Sequence, residues 1–213
     1  MRQFYSPVSV RVCGDFACFT RPEMKVERVT YPVLTPSAAR GMLEAIYWTP
    51  QFSWRVEEIW VLKPIRYVSI LRNEVNGRAS QRSAIAWSKS GGGYDATADR
   101  ARRHTLALRE VDYLIRAQVE VEPGRGADPA RFRDQFRRRV KAGRCFAAPY
   151  LGCREFSAAF TEPDGGERPI DRSEDLGSML LDLAYATDGS GRGTPHFFEA
   201  HLQRGILRAP ARP

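Results

Sequence analysis

The chain has 213 residues, of which 43% are hydrophobic and 11% aromatic, so wholesale disorder is excluded. Its 33 Lys and Arg against 25 Asp and Glu leave a formal charge of +8, which favours a polyanionic partner such as nucleic acid or a membrane surface. No apolar run approaches the ~18–20 residues that span a bilayer, and the N-terminus does not resemble a signal peptide. We therefore expect a cytoplasmic protein without a membrane partner.

The cysteines and histidines argue against a bound metal. The four cysteines form no C-x-x-C pair, so a zinc site is disfavoured and reduced thiols are expected. They are Cys13, Cys18, Cys145 and Cys153. His196 and His201 lie five residues apart on a predicted strand, hence on opposite faces. The sequence predicts no metal and no other cofactor.

The first half of the chain alternates strands with one helix. Alternating valines predict a half-buried strand at 8–13 that continues to residue 19. Thr35 is the expected N-cap of a helix that ends near Trp48, because Pro50 disfavours helical geometry before it. Gly41, inside that helix, suggests close approach by a strand or a ligand. Two strands follow, at 52–62 and 65–71.

The second half begins with a long insertion at about 73–103, rich in Gly, Ser and Arg. Strict alternation predicts a strand at 111–121. A helix follows, with Asp128 as N-cap and Gly143 as C-terminal cap. A further strand is expected at 150–160.

The order of these elements predicts an α+β fold, a ferredoxin-like (RNA-recognition-like) sheet with a β-hairpin insertion. We expect this RNA-binding domain to cover residues 1–162. A small C-terminal antiparallel β-sheet domain is expected at 163–213. Its strands are predicted at 179–185, 195–202 and 205–207.

Basic residues concentrate between 125 and 154, where nine Lys and Arg accompany two acidic residues. A solvated basic face is the alternative, but so few interleaved acids favour a phosphate-binding surface. Arginine also suits bidentate phosphate contact. The predicted RNA-binding residues are Arg133, Arg137, Arg138, Arg139, Lys141, Arg144 and Arg154. Of the tryptophans, Trp87 in the insertion is the one we expect outside the core.

Longer motifs resemble a known family. The stretch CGDFACFTRPEMKVERVTYPVLTPSAARGMLEAIYW is similar to the start of subtype d of the fifth CRISPR-associated family, a subunit of type I-C Cascade. The same holds for LRNEV at 71–75, REVDYLI at 109–115, FRRRVKAGRCFAAPYLGCREF at 136–156 and LGSMLLDLAY at 176–185. The resemblance implies a modified ferredoxin-like domain and a C-terminal β domain. It also implies an endoribonuclease that cuts precursor CRISPR RNA in the repeat without metal and stays bound to the 5′ handle.

The resemblance implies catalytic residues as well. Members of the family that this chain resembles use a tyrosine at the end of the first helix and a Lys-His pair at the start of the second. The tyrosine corresponds to Tyr47 here. Counting back from the shared K-A-G at 141–143, that pair falls on Arg131-Phe132. Arg131 can stabilise a phosphorane but is a poor proton shuttle, and Phe132 moves no proton. His104, in the main domain, is the candidate replacement, with a solvent-exposed loop histidine as the alternative.

Two functions from different classes remain open. The first is a CRISPR antiviral endoribonuclease that becomes a Cascade subunit. The second is a non-catalytic guide-RNA-binding scaffold, which the Arg131-Phe132 departure favours. The partners implied are precursor CRISPR RNA, mature guide RNA and the backbone and large Cascade subunits, with target DNA only within the complex. A generic duplex-DNA binder is weaker, since no helix-turn-helix pattern appears.

Overall fold

The computed structural model describes residues 6–24, 26–77, 79–121, 128–185 and 193–211. These ranges hold three helices and nine strands. The helices are α1 (Pro36–Ile46), α2 (Gln81–Ser90) and α3 (Pro129–Lys141). The strands are β1 (Val8–Ala17), β2 (Arg28–Val29), β3 (Phe52–Val61), β4 (Tyr67–Val75), β5 (Arg100–Val121), β6 (Ala159–Thr161), β7 (Glu174–Tyr185), β8 (Gly193–Gln203) and β9 (Ile206–Arg208). None of these helices is long and apolar enough to cross a membrane.

The strands form one sheet in the order β6-β1-β5-β3-β9-β8-β7. Every pairing along this path is antiparallel. β2 and β4 pair with the first half of β5, in parallel and antiparallel fashion respectively. The predicted α+β class with an antiparallel sheet is therefore confirmed. The C-terminal strands are antiparallel as expected, but β9 pairs with β3, so they continue the main sheet.

The two helices that bury apolar stripes, α1 and α3, cover the sheet. Thr35 caps α1 by accepting from Ala38 N at 3.2 Å, and α1 packs on β3 and β7. α3 packs on β1, β5 and β6, and its stripe buries Phe136 against Trp54, with ring centroids 4.8 Å apart. α1 and α3 also contact each other, so their ends lie side by side.

The predicted insertion is a β-hairpin that carries a helix. β4 and the first half of β5 pair from Tyr67 opposite Leu108 to Val75 opposite Arg100. α2 lies between them with Ser80 as N-cap and has no buried residue. Because α2 has no buried apolar stripe, its periodicity did not predict it. We call this hairpin with α2 the arm.

The strand predicted at 150–160 is wrong. Only Ala159–Thr161 forms a strand, and the residues before it make a turn. Gly152 adopts φ +84°, and Leu151 N donates to Phe156 O at 2.7 Å across that turn. Cys18 N donates to Leu151 O at 3.0 Å, so the turn is attached to the end of β1.

Candidate nucleic-acid interface

Tyr47 lies at the C-terminal end of α1, with extended backbone and its amide donating to Leu43 O at 2.9 Å. Its carbonyl accepts from Trp54 Nε1 at 2.9 Å. Its half-buried ring packs against Phe52, with centroids 5.6 Å apart. None of the described residues hydrogen-bonds the Tyr47 hydroxyl. The backbone and the ring of Tyr47 are therefore held in place, and the described residues leave its hydroxyl without a hydrogen bond.

Arg139 links α3 to this tyrosine. Its guanidinium lies 5.2 Å from the centroid of the Tyr47 ring, a cation–π contact. Its Nη1 donates to Ile46 O at 3.2 Å, where a cation compensates the partial negative charge at the end of α1. Arg139 thus sets the position of Tyr47 relative to α3.

The other predicted basic residues divide by exposure. Arg133 is turned inward, buried, and donates to Ser6 O at 2.6 Å, so it does not belong to the solvent-facing surface expected for it. The exposed ones are Arg137, Arg138, Lys141, Arg144 and Arg154. Arg137 lies 3.8 Å from Asp134, and Arg138 donates to Gln135 at 2.8 Å. Arg125, the first basic residue of the segment, lies outside the described residues.

The segment after α3 returns to the end of α1. Phe146 N and Ala147 N both donate to Ala45 O, at 2.8 and 3.0 Å. Arg144 precedes them, exposed and without an ion pair to any described residue. The helix ends and this segment therefore bring Tyr47, Arg139 and Arg144 to one region. We use the term basic face for this region together with the exposed side of α3, which carries Arg137, Arg138 and Lys141.

Arg131 and Phe132, which we matched to the family's Lys-His pair, lie in the first turn of α3. Phe132 is buried, and its ring centroid lies 4.9 Å from that of Phe52, which also contacts Tyr47. Phe132 therefore belongs to the core. Arg131 is exposed and has no ion pair within the described ranges.

His104 lies elsewhere, on the arm. Its Nδ1 is 3.3 Å from Ser69 Oγ, and its amide donates to the Glu27 carboxylate at 2.6 Å. The opposite end of β5, at Val121, pairs with Phe52 beside Tyr47. The structure thus brings Tyr47 and Arg131 to the α1–α3 region but not His104. In the described part of the chain, no group of three or more His, Cys, Asp or Glu could hold a metal.

A groove of about 520 Å³ borders the same region. It runs between α1, the turn at 149–152 and β7, and it passes Gly41 and Ala45. Arg40 lines it and is bridged to Glu44 and Asp182, each at 2.8 Å. Burial disfavours the Arg40 charge, but the two carboxylates outweigh it and raise the pKa of Arg40. Sequence reasoning missed this groove because its walls come from three distant segments.

Comparison with known proteins identifies the family. The family model Cas5d, described as CRISPR-associated protein (Cas_Cas5), matches residues 8–209. The chain belongs to the Cas5d family. The CRISPR pre-crRNA endoribonuclease Cas5d of Mannheimia succiniciproducens is 40% identical over 95% of this chain and 94% of its own. The CRISPR pre-crRNA endoribonuclease Cas5d of Thermus thermophilus is 42% identical over 96% of this chain and 91% of its own.

Solved structures agree with this fold. A crystal structure of a CRISPR-associated protein superposes with a TM-score of 0.69 at 22% identity, over 98% of this chain and 95% of that one. A Streptococcus mutans protein described as functionally uncharacterized superposes with a TM-score of 0.67 at 20% identity. The match covers 99% of this chain and 95% of that one. At this level of identity the two structures show that the fold is shared.

Proposed function

We propose that this chain is a pre-crRNA endoribonuclease that cuts precursor CRISPR RNA within the repeat. The observation that carries the proposal is the 40–42% identity, over more than nine-tenths of both chains, to two Cas5d proteins described by that activity. The position of Tyr47 beside an arginine-rich helix supports it, since RNA binding begins with phosphate contacts.

The chemistry we propose needs no metal. The 2′-hydroxyl attacks the adjacent phosphorus, a new P–O2′ bond forms, and the P–O5′ bond breaks. The products are a 2′,3′-cyclic phosphate and a free 5′-hydroxyl. Two tasks fall to the protein: proton transfer and stabilisation of the anionic phosphorane.

We assign these tasks by position. Tyr47 contacts the reacting ribose or phosphate through its hydroxyl, and Arg144, exposed just after α3, suits the developing charge. Arg131, exposed in the first turn of α3, is the second candidate cation. Arg139, half-buried against the Tyr47 ring, is a positioning residue. Arg137, Arg138, Lys141 and Arg154 hold the strand by phosphate contacts. His104, on the arm, has no place in this arrangement.

After cleavage the chain keeps the 5′ handle of the guide RNA and acts as a subunit of type I-C Cascade, beside the backbone and large subunits. Target DNA then meets it only in that complex. The exposure of the basic face supports continued RNA binding, because phosphate contacts do not depend on whether the strand has been cut.

A second candidate is a non-catalytic guide-RNA scaffold. One observation favours it: Phe132, the residue that we match to the family's histidine, is buried in an aromatic cluster. A chain that has lost its proton-transfer group can retain the RNA-binding surface.

At a finer level of fold, we propose that β1, α1, β3, β5, α3 and β6 form a ferredoxin-like unit. The strand order β6-β1-β5-β3 with two helices packed on it supports this description. The division at 162/163 into an RNA-binding domain and a small β domain belongs to the same proposal.

The test uses labelled repeat RNA and purified protein in excess EDTA. We expect a single cut by the wild type and none by Tyr47→Phe, which keeps RNA affinity because only a hydroxyl is removed. The double variant Arg137→Ala with Arg138→Ala is expected to bind more weakly and with a smaller salt slope, by about 0.7 per lost contact on a single strand.

A matched double variant provides the control. Arg66→Ala with Arg172→Ala removes the same charge from exposed arginines that pair with Glu110 and Glu174. Its affinity and cut are expected to match the wild type. Tight binding without any cut by the wild type would establish the scaffold instead, and unchanged affinity of the α3 double variant would remove this helix from the interface.

A further inference from the structure

The inference concerns Phe146, which follows α3. The residue is 87% exposed, more than any other large hydrophobic residue in the described part of the chain. A single exposed apolar residue needs no explanation by itself. Phe146 differs because its backbone is held in place: its amide and that of Ala147 both donate to Ala45 O. The ring is therefore presented to solvent by an anchored segment.

The surroundings of Phe146 are aromatic and basic. Ala45, whose carbonyl accepts these two hydrogen bonds, is two residues before Tyr47 and three before Trp48, a residue that is 51% exposed. The stretch 135–154 around Phe146 has six basic and no acidic side chains. An exposed ring within such a positive field matches an unpaired nucleotide, which offers a base to stack and a phosphate to pair.

We propose that Phe146 is a stacking platform for an unpaired nucleobase of the bound repeat RNA, next to the linkage that Tyr47 contacts. The inference rests on the proposed function, since the ligand is the same RNA. In-line attack by the 2′-hydroxyl requires the two nucleosides at the cut to be splayed apart. A base that leaves the helical stack loses its stacking partner, and the Phe146 ring replaces it. Phe146 is thus a positioning residue for the cleavage step.

The experiment measures base stacking and cleavage separately. Repeat RNA carries 2-aminopurine at one unpaired position at a time, and its fluorescence is read on protein binding in EDTA. We expect quenching at one position with the wild type and with Phe146→Tyr, and its loss with Phe146→Ala. The single-turnover cleavage rate of Phe146→Ala is expected to fall about tenfold, as for loss of one base–aromatic stack. Phe146→Tyr restores it.

Phe197→Ala is the matched control, because it removes another exposed phenylalanine, 45% exposed on β8. It should behave as wild type in both readouts. Wild-type fluorescence and cleavage in Phe146→Ala would overturn the inference, and so would an effect confined to assembly with other subunits.

The experiments can refute either proposal without refuting the other. If Tyr47→Phe abolishes cleavage while Phe146→Ala changes nothing, the endoribonuclease stands and the platform does not. If the wild type never cuts but quenching depends on Phe146, the platform stands on a scaffold protein. Melting temperatures of both phenylalanine variants are expected to match the wild type, since neither ring is buried.

Discussion

At the scale of single residues, two buried cysteines, 135 positions apart, form an ionisable pair outside the proposed site. A hydrogen bond from Cys18, then one from Arg28 at 3.2 Å, outweighs burial and lowers the pKa of Cys153 to about 6. The same bond to Cys153, with burial, raises the pKa of Cys18. When protonated, Cys153 Sγ donates instead to Cys18 O, 3.6 Å away. Cys18 and Arg28 thus favour the thiolate form of Cys153, and Cys18 keeps its proton.

This pair predicts how stability depends on pH. Between pH about 6 and the ordinary cysteine value of 9.0, the unfolded chain binds one proton more than the folded one, so the free energy of unfolding rises with pH. Above 9.0 the unfolded chain loses both protons while Cys18 keeps its own, so stability falls. We expect urea unfolding under reductant to show this rise in the wild type and not in Cys153→Ser.

Cys145→Ser, which removes an exposed free thiol, is the control and should keep the wild-type pH dependence. Parallel stability curves for the wild type and Cys153→Ser from pH 6.5 to 8.5 would contradict the thiolate.

At the scale of elements, α3 begins and ends where its sequence predicts. Asp128 accepts from Ala130 N at 2.9 Å as the N-cap. At the other end Gly143 has φ +62°, its amide donates to Val140 O, and Arg144 N donates to Arg139 O at 2.9 Å. This is a Schellman motif, and it directs the chain from α3 back toward α1. The cap therefore contributes to the placement of the whole basic face.

Gly143 and Gly41 allow a matched pair of Gly→Ala substitutions in these helices. A Cβ at either Gly143 or Gly41 would meet nothing within 4 Å, so only backbone conformation differs between them. Gly143→Ala forces a left-handed alanine and is expected to destabilise by ~1 kcal/mol. Gly41→Ala, inside α1, is expected to stabilise by ~0.5–1 kcal/mol. Urea unfolding of both variants measures these changes in the free energy of unfolding. If both changes had the same sign, backbone conformation would not be what distinguishes the two positions.

At the scale of the whole molecule, β3 connects the two parts of the sheet. It pairs with β5 on one side and with β9 on the other. One core cluster includes Val10 and Trp54 together with Leu202 and Leu207 from the C-terminal strands. Shared pairing and shared core imply that the C-terminal strands and the rest unfold together.

We expect Leu207→Ala, at a fully buried position, to lower stability by ~2–5 kcal/mol. Circular dichroism and tryptophan fluorescence should still give one coincident transition. Leu71→Ala, at an exposed position on the arm, is the control and should change little. Two transitions, of which Leu207→Ala shifts only one, would instead support independent domains divided at 162/163.

The sequence by itself determined the elements whose side chains repeat with a short period. α1 and α3, with their caps, and the alternating strands β1 and β3 follow from contacts between near neighbours, which the order of residues encodes directly. It also indicated that Tyr47 ends a helix and that positive charge concentrates around α3.

Only the tertiary structure decided what depends on distant segments. Arg133 faces the core and Arg139 lies over Tyr47 because α3 is rotated by its packing on the sheet. The turn at 149–158 replaces a predicted strand because Leu151 is bound to β1, and His104 is separated from Tyr47 because β5 extends into the arm. Such placements arise from pairing between remote strands, whose energies a local pattern does not contain.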